Sequence, residues 1–219
     1  MGITLIGFCG LGLLLGLKHA FDADHLIAVT NILHKVGSLQ SALKTGFSWA
    51  LGHMLTASVV TVLLFTFRTT LLHAVLVHFE KVVGVMLIVL GIVSLKSFFD
   101  FHAHAHPHGP LVHSHPHVHA KNESENHVHK HIFGIGIVHG LASNDELLIL
   151  LTASLGVTSL GGMLLGLASF SLGVVLGMVF FAFLFITPLI KINHDKLRRG
   201  VALASGLVSV IYGGLMLFP

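Results

Sequence analysis

Charge is what this chain has least of. Among its 219 residues only 10% are Asp, Glu, Lys or Arg, against about 25% in an ordinary soluble domain. A chain of this length could bury a core in water, but this one lacks the polar residues to cover it. Cysteine is nearly absent as well. Cys9 stands alone, which excludes an intrachain disulfide and a C-x-x-C redox pair. No H-E-x-x-H string occurs, which argues against a zinc-peptidase type of intramembrane hydrolase, and no enzymatic role is expected. The net charge of +3 comes from basic residues in short loops rather than in a stripe, so nucleic acid is not an expected partner. The first basic residue is Lys18, and without a basic segment before the first apolar run a cleaved signal peptide is not expected.

What is there is apolar. Hydrophobic residues make up 54% and the mean hydropathy is +0.90. The expected class is an all-α polytopic membrane protein whose non-protein partner is the lipid bilayer. Six transmembrane spans are expected, near residues 2–33, 46–67, 82–99, 132–155, 160–190 and 201–218. A span needs about 20 apolar residues, so the first and fifth are overlong and should tilt, kink or break. Lys35, Lys44, Lys96, Lys121, Lys130, Lys191, Lys196, Arg198 and Arg199 fall on one side of such a topology and Arg68 and Lys81 on the other. By the positive-inside rule the first side is the cytoplasm, which makes the expected location the cytoplasmic membrane.

The halves resemble each other. "GLKHAFDADHL" from Gly16 aligns with "GIVHGLASNDE" from Gly136, "SWALGH" from Ser48 with "SFSLGV" from Ser169, and "GIVS" from Gly91 with "GLVS" from Gly206. The matches keep their order, at offsets of 120, 121 and 115 residues. Three spans per half would make the halves enter the membrane from opposite sides. The expected organisation is therefore a 3+3 inverted repeat: residues 1–99 as the first half, 100–131 as a loop and 132–219 as the second half. Inverted repeats are a common plan for secondary transporters, with the ligand site near mid-membrane between the halves.

Polar chemistry sits inside the apolar runs. "HAFDADH" carries His19, Asp22, Asp24 and His25 within seven residues. A charged side chain at the bilayer centre costs at least about 2.5–3.5 kcal/mol, and a divalent cation is the simplest compensation. Imidazole with carboxylate suits nickel, cobalt or zinc better than calcium or magnesium. In an unbroken helix His19, Asp22 and His25 share one face and Asp24 points away. Either the helix breaks here, or Asp24 serves another task, such as holding an imidazole from behind. His53, alone in the second span, fits packing or ligation. His139, Asn144, Asp145 and Glu146 in the fourth span are expected to line the same cavity. The segment 100–131 holds 11 of the 19 histidines, many spaced H-x-H and interrupted by prolines. That composition predicts a disordered cytoplasmic tract that binds transition metal loosely.

"HAFDADH" fits the H-x-x-x-x-D-H signature of the nickel/cobalt transporter family, and the chain resembles that family. "LGHMLTASVV" is similar to the family's second motif, written around L-G-H-S-T-V-V, and departs from it at Met54 and Leu55. "HGLASNDE" corresponds loosely to a later motif. The chain has six expected spans where typical uptake members have eight, which brings it closer to the short branch with urease-accessory-type permeases. Its His-rich loop resembles that of efflux members. The resemblance implies passage of Ni²⁺ or Co²⁺, with His19, Asp24 and His25 carried over as metal-site residues. The ion is then cargo and no resident cofactor is expected. Uptake is the expected direction, and a cytoplasmic metallochaperone is a candidate partner. Proton-coupled efflux and a metal sensor or store acting through the loop are the alternatives.

Overall fold

The structure is a computed structural model and describes residues 4–67, 72–99, 102–108, 111–117, 125–141, 160–192 and 195–218. Its elements are α1 (Leu5–Ala20), α2 (Ala23–Leu33), α3 (Leu39–Phe67), α4 (Leu72–Phe99), β1 (His102–His108), β2 (Leu111–His117), α5 (Glu125–His139), α6 (Leu160–Ile192) and α7 (Asp195–Leu217). Segments of α3, α4, α6 and α7 are each long and apolar enough to cross a membrane, and α1 with α2 forms a bent pair that passes the same test. Half-exposed Leu172, Leu176, Phe180 and Leu184 cover the outside of α6, a surface that suits lipid. The protein is a multi-pass membrane protein of the all-α class, and among the described residues one hairpin is the exception.

The overlong first span is broken. α1 starts at Thr4, whose hydroxyl accepts the amide of Gly7 at 3.2 Å. It stops at Ala20, and α2 restarts from Asp22 with a bend of 55° between the two. The fifth expected span is one continuous helix of 33 residues, with Pro188 near its end. At 1.5 Å per residue it is about 50 Å long, more than a bilayer core requires. The spans expected from 46, 82 and 132 start inside helices that begin earlier, at Leu39, Leu72 and Glu125. Hydropathy detects the part of a helix that suits lipid, while the backbone ladder runs on through residues such as Gln40 and Lys44 or Glu80 and Lys81. The rest of the fourth expected span, with Asn144, Asp145 and Glu146, lies outside the described residues.

Three helix pairs build the body. α1 packs on α6 with both chains running the same way: Gly16 lies against the carbonyl of Phe170, and Gly173 against that of Leu13. α3 packs on α5, again parallel: Gly136 lies against the carbonyl of Trp49, and Gly52 against that of Phe133. A Cβ at any of these glycines would strike backbone, so the close approach depends on its absence. α4 packs on α7 in the opposite sense, with Gly84 near Gly213 and Gly91 near Gly206. Buried hydroxyls tie this pair: Ser94 donates to the carbonyl of Ala202 at 3.0 Å and Ser209 to that of Leu87 at 2.7 Å. The main apolar core, including Phe8, Val29, Trp49, Phe170 and Met178, fills the space between α1, α2, α3, α5 and α6.

At the end of α2, Arg198 from α7 donates to the carbonyls of His34 and Val36 at 3.1 and 2.8 Å. Cationic donors suit a helix C-terminus. Burial, with Lys35 beside it, lowers the His34 imidazole to about 4.

The His-rich tract differs from its expectation. β1 and β2 pair antiparallel, with His102 opposite His117, His104 opposite His115 and His106 opposite His113. H-x-H spacing is itself a period of two, the period of a strand, and Gly109-Pro110 stands between the arms.

Candidate metal centre

Four buried imidazoles meet inside the bundle. His19 comes from the last turn of α1, His25 from the first turn of α2, His53 from the middle of α3 and His139 from the end of α5. Ring centroids of His25 lie 4.4 Å from His19, 4.7 Å from His53 and 4.5 Å from His139. His25 is therefore the middle of the group.

The break after α1 explains how. It lets the two carboxylates of one short motif face two different imidazoles. Asp22 stands at the N-cap position of α2 without capping it through its side chain. Its carboxylate turns back instead, accepting from His19 Nδ1 at 3.0 Å and lying 3.5 Å from Lys18 Nζ. Asp24 sits in the first turn of α2, where the helix dipole favours negative charge. Its Oδ1 accepts from His25 Nδ1 at 2.9 Å and from the His25 amide at 3.0 Å, while its Oδ2 accepts from His139 Nε2 at 2.9 Å. The sequence left two readings for Asp24, a broken helix or an imidazole held from behind. The structure has both.

These bonds set the tautomers. An ionised carboxylate only accepts, so His19 and His25 carry their protons on Nδ1 and His139 carries its proton on Nε2. The lone pairs are then on His19 Nε2, His25 Nε2 and His139 Nδ1. His25 Nε2 and His139 Nδ1 are buried without a hydrogen-bond partner. His19 Nε2 lies 3.3 Å from His53 Nε2. A carboxylate behind a histidine is the arrangement that orients a metal-ligating imidazole and makes it more basic. Among the described residues no lysine or arginine pairs with Asp24, whose ion-pair partners are His25 and His139. With neutral imidazoles, Asp24 is a carboxylate with no cationic side chain paired to it among the described residues.

The ligand atoms fall into two sets. One nitrogen each from His19, His25 and His53 lies within 4.8 Å of the others, and so do ligand atoms of Asp24, His25 and His139. Metal–imidazole bonds of about 2.0–2.1 Å put two ligands of one ion at most about 4.2 Å apart, so small side-chain adjustments would bring either set onto an ion.

Of the sequence-derived residues, His19, Asp22, Asp24, His25, His53 and His139 are brought together. Asn144 and Asp145 lie outside the described residues. Two aromatic neighbours were missed. Trp49 stacks on His53 at 4.9 Å and 18° and meets His25 and His139 edge-on at 5.0 and 5.3 Å. Phe170 lies 5.6 Å from His19. The four-residue step from Trp49 to His53, one helical face, was the signal available for the first.

No family model matches the chain, and no solved structure matches it. The urease accessory protein UreH of Bacillus sp. (strain TB-90) is 29% identical over 212 residues, a match covering 96% of this chain and 90% of that protein. The chain is thus similar, along nearly all of its length, to a protein described as a urease accessory factor, and it places a buried histidine–aspartate cluster inside a multi-pass helical membrane body.

Proposed function

We propose that this protein is a secondary carrier of Ni²⁺ or Co²⁺ in the cytoplasmic membrane, working in the direction of uptake. The observation that carries the reading is the convergence of His19, His25, His53 and His139, three of them held by the carboxylates of Asp22 and Asp24. A mixed imidazole–carboxylate set inside the bundle suits late first-row divalent ions. The Bacillus relative carries the description of the short branch that the motifs resemble, which supports a nickel/cobalt transporter-type family. Inward movement of a dication gains about 4.6 kcal/mol per 100 mV, at about 2.3 per charge, so uptake needs no second coupling ion.

The carrier is a six-span 3+3 inverted repeat in this reading. Its support is the matching of contacts between halves. A shift of 120 or 121 residues turns the contact of Gly16 with Phe170 into that of Gly136 with Trp49, and the contact of Gly173 with Leu13 into that of Gly52 with Phe133. A shift of 115 turns the Ser94–Ala202 hydrogen bond into Ser209–Leu87. The parallel and antiparallel senses of the three pairs are those that six spans with both ends on one side require. Rocking of one half against the other would expose the centre to either side, and a cytoplasmic metallochaperone would receive the ion.

The test is Ni²⁺ and Co²⁺ flux into proteoliposomes under an inside-negative potential. Wild type takes up metal and His19→Ala does not. No flux of either ion in either direction ends the carrier reading. Deleting 102–131 separates the carrier from a metal store or sensor: transport is retained in the first case and metal-dependent function is lost in the second.

A further inference from the structure

His25 belongs to both ligand sets, and the other members do not mix. His19 and His53 group with it on one side, Asp24 and His139 on the other. The ring meets the two sides with different edges. Nδ1 is 2.9 Å from Asp24 Oδ1, while Nε2 is buried with no hydrogen-bond partner. His139 reaches the same carboxylate from α5, 2.9 Å from Oδ2, and keeps a second buried nitrogen without a partner. A single ion bound by all five residues would need ligand atoms mutually within about 4.2 Å, and the five fall into two triads instead.

We propose that the centre holds its ion in two successive positions that share His25. The first is a tri-imidazole position made by His19, His25 and His53, and the second is a carboxylate–imidazole position made by Asp24, His25 and His139. This rests on the carrier reading and deepens it. The first position is neutral and the second carries the Asp24 charge. An ion moving from one to the other exchanges His19 and His53 for Asp24 and His139, and His25 serves in both sets. The ion passes from one ring nitrogen of His25 to the other. In the second position His25 and His139 give up the N–H groups that faced Asp24, and each proton then resides on the other ring nitrogen. The carboxylate that held both imidazoles becomes a ligand itself. Two positions one ring apart let an ion be released stepwise rather than lose all its ligands at once. They hold one ion at a time, because the neutral imidazole of His25 offers a single lone pair.

The experiment places a thiolate in each position of the full chain and titrates with Co²⁺. His53→Cys reports the first position and His139→Cys the second, through the thiolate-to-cobalt charge-transfer band in the near ultraviolet. Wild type, whose only cysteine is Cys9, sets the background. Both variants are expected to show the band at saturating Co²⁺, and adding His25→Ala is expected to weaken Co²⁺ binding at least tenfold in both. A band in one variant alone overturns the two positions and leaves a one-site carrier standing. A band in neither overturns the ligand assignment, and the flux assay on wild type then decides separately whether the protein is a carrier. Folding is checked by gel filtration and helical circular dichroism. If either variant fails that check, His19→Cys reports the first position and Asp24→Cys the second, with the same outcomes.

Discussion

Two helix pairs of this protein are packed alike and furnished differently. In α1 on α6 a glycine, Gly16, meets the carbonyl of Phe170, and in α3 on α5 a glycine, Gly136, meets the carbonyl of Trp49. The first pair brings one imidazole to the centre, His19, with a phenyl ring beside it. The second brings two, His53 and His139, with an indole packed against both and against His25. At positions matched by the shift of 121, His53 has Val174 as its counterpart, buried and apolar. Close packing needs only a missing Cβ and a carbonyl, so it tolerates different neighbours. A ligand set needs particular side chains at particular depths, and here it is lopsided within a scaffold of matched contacts.

That comparison can be broken or sharpened by substitution. The largest effects are expected where the two sides meet. His25→Ala removes the imidazole common to both ligand sets and Asp24→Asn the carboxylate that holds His25 and His139, and each should lower Ni²⁺ flux by on the order of 100-fold. Retained flux in either would detach the centre from transport. Next come the glycines. Gly16→Val and Gly136→Val should each destabilise the protein by about 1–3 kcal/mol, and by similar amounts, as read from thermal unfolding in detergent. A large loss in one beside none in the other would mean that the two pairs are not equivalent.

Smaller effects follow from partners that serve one imidazole or one helix pair. Asp22 supports His19 alone, so Asp22→Asn should weaken metal binding by roughly tenfold, less than Asp24→Asn does; equal losses would contradict the division of labour between the carboxylates. Ser94→Ala and Ser209→Ala remove matched hydrogen bonds between α4 and α7. Each should cost about 0.6 kcal/mol, the average for such bonds in a membrane protein, and unequal costs would count against the match.

Much of this was legible in the sequence, for definite reasons. Ionisable residues inside apolar runs announce a site because lipid makes them costly, and His19, Asp24 and His25 stood out on that ground. The length of the first run announced a break or tilt. The order and offsets of the three matches raised the inverted repeat as an expectation. Which imidazoles Asp24 holds was not legible. Its second partner, His139, lies 115 residues away, and only the bend after Ala20 turns Asp24 toward it. Trp49 looked like one more apolar residue because an indole next to imidazoles is a tertiary fact. The helix starts at Leu39, Leu72 and Glu125 were missed because polar turns outside lipid carry no hydropathy signal. The pairing of β1 with β2 was hidden by a composition that reads as unstructured.

The central claim is that a transition ion sits among these buried imidazoles. Trp49 is the single tryptophan of the chain and touches three of them, so its fluorescence reports the centre directly. Ni²⁺ should quench Trp49 saturably in the full chain and fail to do so in His25→Ala over the same concentrations. Unchanged fluorescence in wild type, or equal quenching in both proteins, would contradict the account.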